Sequence, residues 1–114
     1  MSTISAHLHV HTNPVSDADA ERFNTWYDEV HVPQVVERVD GIVAARRYEL
    51  ASAQLAPAEA LPAHRYLAVY DIASDDVGAV LGALATALGD GTLDPSDAMD
   101  LASNPPSMVV YAPR

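Results

Sequence analysis

An α+β fold with the element order β-α-β-β-α-β is what this 114-residue sequence predicts, and three features carry the prediction. Residues 4–11, ISAHLHVH, alternate strictly between apolar and polar side chains, the period of a half-buried strand. Two later stretches, about Asp17 to Val30 and about Asp75 to Leu88, repeat apolar residues at helical spacing behind capping residues. Three short runs rich in β-branched and aromatic residues lie between and after them.

In the first strand Ile4, Ala6, Leu8 and Val10 take one face and Ser5, His7, His9 and His11 the other; Asn13-Pro14 ends it. Ser16 with Asp19 reads as a capping box for the first helix, along which Ala20, Phe23, Tyr27 and Val30 recur with Trp26 beside them. Pro33 lacks the N–H that a helix interior uses, so it interrupts this helix or opens a second short one, roughly Pro33 to Arg38. Asp40-Gly41 turns the chain into a second strand, residues 42–50, IVAARRYEL. Residues 51–63, rich in alanine, proline and serine, form a loop before a third strand, residues 65–72, with Tyr66 and Tyr70 on one face. Ser74 caps the second helix, which buries Val77, Leu81, Leu84 and Leu88 and stops at Gly89-Asp90-Gly91; its internal glycines suit close helix packing. Asp97 to Ala102 suggests one or two helical turns, and Asn104-Pro105-Pro106 leads into a last strand, Met108 to Ala112. This is the ferredoxin-like split βαβ order: one domain, with an antiparallel four-stranded sheet and two main helices on a single face.

Sixteen acids face six bases, none of them lysine, for a net charge of −10. Phosphate backbones and anionic membrane surfaces need clustered bases, so neither is an expected partner, and lysine Schiff-base chemistry is excluded. The absence of cysteine removes disulfides, thiol catalysis and thiolate metal sites. No apolar run reaches the ~18 residues of a membrane span, and the start has no signal-peptide pattern, so the expected compartment is the cytoplasm. No glycine-rich phosphate loop, G-x-S-x-G elbow or H-E-x-x-H helix is present.

Two helices cover one face of such a sheet. The other face carries His7, His9 and His11, while the third strand is apolar on both sides, as a doubly buried strand is. A chain this short builds only a modest core. A second copy covering that face is the expectation.

The densest chemistry lies in FNTWYDEVHVP, residues 23–33. His31 ends the helix. It reads either as an imidazole capping free carbonyls, kept protonated by the negative end of the dipole, or as a proton-transfer group whose ordinary pKa of about 6.5 suits that work. Tyr27 and Asn24, four and seven residues earlier, share its edge beside Phe23 and Trp26. His7, His9 and His11 stand roughly 6.5–7 Å apart along one face. Neighbouring pairs can chelate an ion, but all three span about 13 Å, so a metal site needs His31, His64 or a carboxylate as well. Otherwise these histidines polarise a substrate or form a hydrogen-bonded lining. Arg46 shares a face with Tyr48, opposite to Arg47, and either clamps an anionic oxygen or pairs with an acid. Tyr66 and Tyr70 stack on a flat substrate or fill the core.

The pattern W-Y-x-x-x-H-x-P at Trp26, Tyr27, His31 and Pro33, with DGIVAARRYEL and RYLAVYDI downstream, resembles the EthD-like branch of the dimeric α+β barrel superfamily from about His9 to Tyr111. The resemblance implies a homodimer whose sheets form a barrel, and an apolar cleft between sheet and helices bordered by Tyr27 and His31. Relatives include cofactor-free monooxygenases, polyketide cyclases, muconolactone isomerases and haem-dependent peroxidases. The expectation is an enzyme without organic cofactor or metal, acting on an apolar cyclic or aromatic carbonyl or phenol. His31 moves a proton, Tyr27 and one of His7 or His9 hold the oxyanion, Phe23, Trp26, Tyr66 and Tyr70 exclude water, and Asn24, Arg46 and Tyr48 complete the substrate contacts. A non-catalytic binder of small hydrophobic molecules and a metal-dependent enzyme using the strand-one histidines are the alternatives.

Overall fold

The computed structural model describes residues 3–114. Four strands, β1 (Ala6–Thr12), β2 (Ile42–Glu49), β3 (Tyr66–Ile72) and β4 (Ser107–Tyr111), form one antiparallel sheet in the order β2-β3-β1-β4. The helices α1 (Ala20–Trp26), α2 (Val32–Arg38) and α3 (Val77–Gly89) pack on one face, against Ala6, Leu8, Val10, Ile42, Tyr66, Ala68, Tyr70 and Ile72. The fold is therefore α+β and ferredoxin-like. Leu8 lies opposite Tyr70, Val10 opposite Ala68 and Thr12 opposite Tyr66, so the alternation read from β1 runs one residue beyond its expected end, to a buried Thr12.

Pro33 does not break the first helix. The helical path runs from Ala20 to Arg38 through a π-helical turn, Tyr27–His31, in which the Val32 N–H bonds to the Tyr27 carbonyl five residues back. A proline ring crowds the carbonyl four residues before it, and widening the turn relieves that contact. At the start, a 3-10 turn (Asp17–Asp19) replaces the expected capping box, and the Ser16 hydroxyl donates to the Asp19 carboxylate at 2.7 Å.

β2 departs from simple alternation. Ile42 pairs with Ile72 but Ala44 pairs with Asp71, which leaves a bulge at Val43. A bulge inserts one residue and reverses the phase of everything after it. Ala45, Arg47 and Glu49 consequently share the helix-facing side, opposite Tyr70, Ala68 and Tyr66, while Arg46 and Tyr48 face away. Before the bulge, Gly41 holds φ +95°, and a Cβ there would stand 2.5 Å from Val80 Cγ2 of α3.

α3 begins two residues later than expected. Asp76 is its cap, accepting from the Ala79 N–H at 3.0 Å, and Ser74 instead accepts from the Asp76 N–H at 3.0 Å. Its buried side is Val80, Leu84 and Ala87, with Val77 and Leu81 partly covered and Leu88 exposed. Close packing does not explain Gly82, since a Cβ there would meet nothing within 4 Å. The expected helical turn at Asp97 to Ala102 is absent. That segment is tied to the end of β1 by backbone bonds from Val15 to Ala98 (2.7 Å) and from Asp100 to Asn13 (2.9 Å). Asp100 holds its turn by accepting from the N–H groups of Ala102, Ser103 and Asn104.

Candidate functional site

A cavity of about 290 Å³ opens between the helix-facing side of β1, the π-helical turn and residues 93–101. Val10 and Thr12 form its floor, Trp26, Tyr27 and His31 one wall, and Leu93, Asp94, Pro95, Ser96, Met99 and Leu101 the other, with Leu88, Pro106 and Met108 at the rim. Most of this surface is apolar, as small-molecule sites are. No arginine lines it, and the chain has no lysine.

The second wall is irregular chain, yet it is pinned to the helices. Trp26 Nε1 donates to the Asp94 carbonyl at 3.2 Å, Gln34 Nε2 to the Asp94 carboxylate at 2.8 Å, the Asp94 N–H to Gln34 Oε1 at 2.8 Å, and Arg38 to the Thr92 carbonyl at 2.8 Å. Sequence reading missed this wall because its apolar residues follow neither period. The available signal was Gln34 and Trp26 on one helix edge, both in need of polar partners.

The π-helical turn sets the first wall. Trp26 and His31 are five residues apart, and at about 100° per residue an α-helix would point them some 140° apart. Here their rings stack at 4.7 Å and 24°, with Tyr27 edge-on to His31 at 5.0 Å. His31 is 8% exposed, and its Nδ1 meets no hydrogen-bonding partner. Burial, and secondarily the positive charge of Arg47, push its pKa down to about 4. This corrects the expectation of a dipole-stabilised imidazolium, because removal from water outweighs the helix end. His31 is neutral at pH 7.

Tyr27 is buried, and its hydroxyl stands beside those of Tyr70 and Thr12 without closing a hydrogen bond of good geometry. Burial raises the pKa of Tyr27; Tyr70, Arg47 and Thr12 oppose that rise. Tyr70 is raised too, by burial first and then by Tyr27. Tyr27 and His31 thus line the cavity as a neutral phenol and a neutral imidazole, each with a buried polar atom that lacks a partner.

Of the residues expected at one site, Trp26, Tyr27 and His31 line the cavity together, Tyr70 stands behind Tyr27 without lining it, and the others serve elsewhere. Phe23 is wholly buried core, edge-on to Tyr27 at 5.4 Å, and Tyr66 packs beside it. Asn24 faces Arg47 and accepts from it at 2.9 Å. His7 and His9 lie across the sheet from Tyr27, on the side away from the helices, so they do not share an oxyanion with it. Arg46 and Tyr48 are on that side as well, turned there by the bulge.

On that open side Asp71 accepts both Arg46 Nη groups at 2.9 Å and bonds to His7 Nδ1 at 2.8 Å, which holds its carboxyl below the usual range, Arg46 contributing most. His9 lies edge-on to Tyr111 at 4.7 Å, and His11 is 6.1 Å from the ring of His64, which bonds to the Pro105 carbonyl at 2.8 Å. Burial, then His64 and His9, lower the His11 pKa. Among the described residues no three histidine or carboxylate side chains come together as a metal site would require. The strand-one histidines diverge onto separate partners.

No family model matches the chain, and no curated protein does. Among solved structures it is similar to an ethyl tert-butyl ether D (EthD) family protein from Bacillus halodurans, at 8% identity over 98% of this chain and 100% of that one, with a TM-score of 0.49. A likeness of that order assigns no residue a role. Among the described residues no helix is long and apolar enough to cross a membrane.

Proposed function

We propose that the cavity binds a small neutral apolar compound, cyclic or aromatic, bearing one carbonyl or phenol oxygen, and that His31 moves a proton at or near that oxygen without an organic cofactor. The single observation behind this reading is the pair of buried polar atoms, Tyr27 hydroxyl and His31 Nδ1, left without partners beside an apolar cavity. Leaving such groups unpaired costs about 1–3 kcal/mol each, which a ligand oxygen would offset. Tyr27 donates to the oxygen, and the neutral imidazole takes the proton and returns it. Isomerisation, cyclisation and cofactor-free oxygenation all fit that role. A panel of phenols and cyclic ketones, followed by chromatography of the products, tests it. Turnover is expected for some members and a loss of at least tenfold in His31→Ala; a folded His31→Ala protein with full turnover would remove the proton-transfer role.

One observation favours a second reading, a non-catalytic binder. An imidazole with a pKa of about 4 is a weak base at neutral pH, better at hydrogen bonding than at abstracting protons. Under that reading panel members bind and emerge unchanged.

We also propose that the open sheet face is covered by a second copy of the chain. Val69 and Leu67 on β3 and the exposed Tyr48, Val109 and Tyr111 make that face largely apolar around its histidines, and an apolar face finds its partner in a like surface.

A further inference from the structure

If the cavity takes an oxygen-bearing molecule through Tyr27 and His31, a further residue must act on it from outside. We infer that Arg47 is a positioning residue for that site: its guanidinium, seated against the Tyr27 ring away from the cavity, orients the phenol and favours the negative charge that the bound ligand's oxygen gains on losing its proton.

The placement is a consequence of the bulge at Val43, which turns Arg47 inward among aromatic side chains. Its guanidinium carbon lies 4.3 Å from the Tyr27 ring centroid, 5.5 Å from Tyr66 and 5.6 Å from Phe23. Nη1 donates to Asp28 and Nη2 to Asn24, each at 2.9 Å, so the fork is held from α1 and from the π-helical turn. The side chain is only 13% exposed, and its Nε has no partner. A lone surface ion pair needs none of this burial.

The charge is not cancelled where it acts. Asp28 is 59% exposed, whereas Tyr27 receives the guanidinium across its ring face. Glu49, on the same side of β2, is engaged by Arg65 instead. Of the remaining groups around Arg47 and Tyr27, Tyr70 and His31 are neutral at pH 7 and Thr12 carries no charge. Because no arginine or lysine lines the cavity, Arg47 acting through Tyr27 is the positive charge a ligand oxygen meets there. A cation against a π-face favours the phenolate side of a phenol hydrogen bond.

Arg47→Met keeps the stem and removes the charge; Arg47→Lys keeps the charge without the fork. In ligand-free protein, NMR titration of the His31 ring is expected to move up by at least half a pH unit in Arg47→Met and to stay near wild type in Arg47→Lys. With 4-nitrophenol as the probe, the ionisation midpoint of the bound dye should rise by a similar amount in Arg47→Met, which is about a threefold loss of preference for the phenolate. Unmoved midpoints in folded Arg47→Met overturn the inference. Should that variant not fold, Asn24→Ala, which frees one arm of the fork, is expected to weaken binding of the dye anion at least threefold, and unchanged binding overturns the inference equally. If wild-type protein does not bind 4-nitrophenol, the cavity reading fails by itself, and the His31 midpoint still decides whether Arg47 sets the electrostatics of that edge.

Discussion

His31 is an imidazole kept neutral by its surroundings, and this has a consequence for stability. Its pKa is about 4 folded and about 6.5 unfolded, so between those pH values the unfolded chain binds a proton that the folded chain does not. Falling pH therefore favours unfolding across that window, by an amount on the order of 3 kcal/mol when complete. His31→Gln is expected to reduce the slope of the denaturation midpoint between pH 6.5 and 4, leaving the smaller part due to His11 and the loss below pH 4, where Asp71, Asp19, Asp90 and Asp100, all held below their usual range, take up protons. Urea titrations at stepped pH check this; an unchanged slope in His31→Gln would contradict the burial of a neutral ring. Tyr27→Phe removes the spare hydroxyl, and it is expected to weaken binding of a phenol probe about tenfold with little loss of fold, because that hydroxyl closes no hydrogen bond of good geometry with its neighbours Tyr70 and Thr12.

Two irregular elements do more for the site than the regular ones. The π-helical turn stacks Trp26 on His31, and the bulge at Val43 turns Arg47 inward and Arg46 outward. Neither violates the pattern of its neighbours: each shifts a phase by one residue, which a period count passes over. The turn just before the bulge is equally exacting. Gly41→Ala places a Cβ 2.5 Å from Val80 Cγ2 at a φ of +95°, so strain and overpacking add. A loss of about 2–4 kcal/mol is expected from the two together, read as a lower urea midpoint at constant m-value. A loss under ~0.5 kcal/mol would mean that Val80 and the turn give way easily.

At the scale of the whole molecule, one sheet face is occupied by helices and the other bears histidines among apolar side chains. Expected behaviour is a dimer that Val109→Asp and Tyr111→Asp weaken at least tenfold, measured by sedimentation over a dilution series. Val109 and Tyr111 lie opposite His9 and His7 on the face away from the helices, whereas the neighbouring Met108 faces the cavity, so neither change should disturb the cavity probe. A wild-type chain that remains monomeric at high concentration would leave the open face without its proposed cover.

Length, period and punctuation determined the element order, the ferredoxin-like arrangement and the inward row of β1, because each depends on local spacing between apolar residues and on turn chemistry that neighbouring residues supply. They also marked Trp26, Tyr27 and His31 as a group, since those three are adjacent on one helical segment. Tertiary structure alone decided which arginine enters the protein, which wall closes the cavity and that His7 and His9 stand apart from it. Those outcomes rest on a one-residue slip in β2, on contacts between Asp94 and a helix some sixty positions earlier, and on the thickness of a sheet, none of which is expressed in any window of consecutive residues. The charge state of His31 belongs to the same class: a helix end argues for a proton, and only the depth at which that end is buried takes it away.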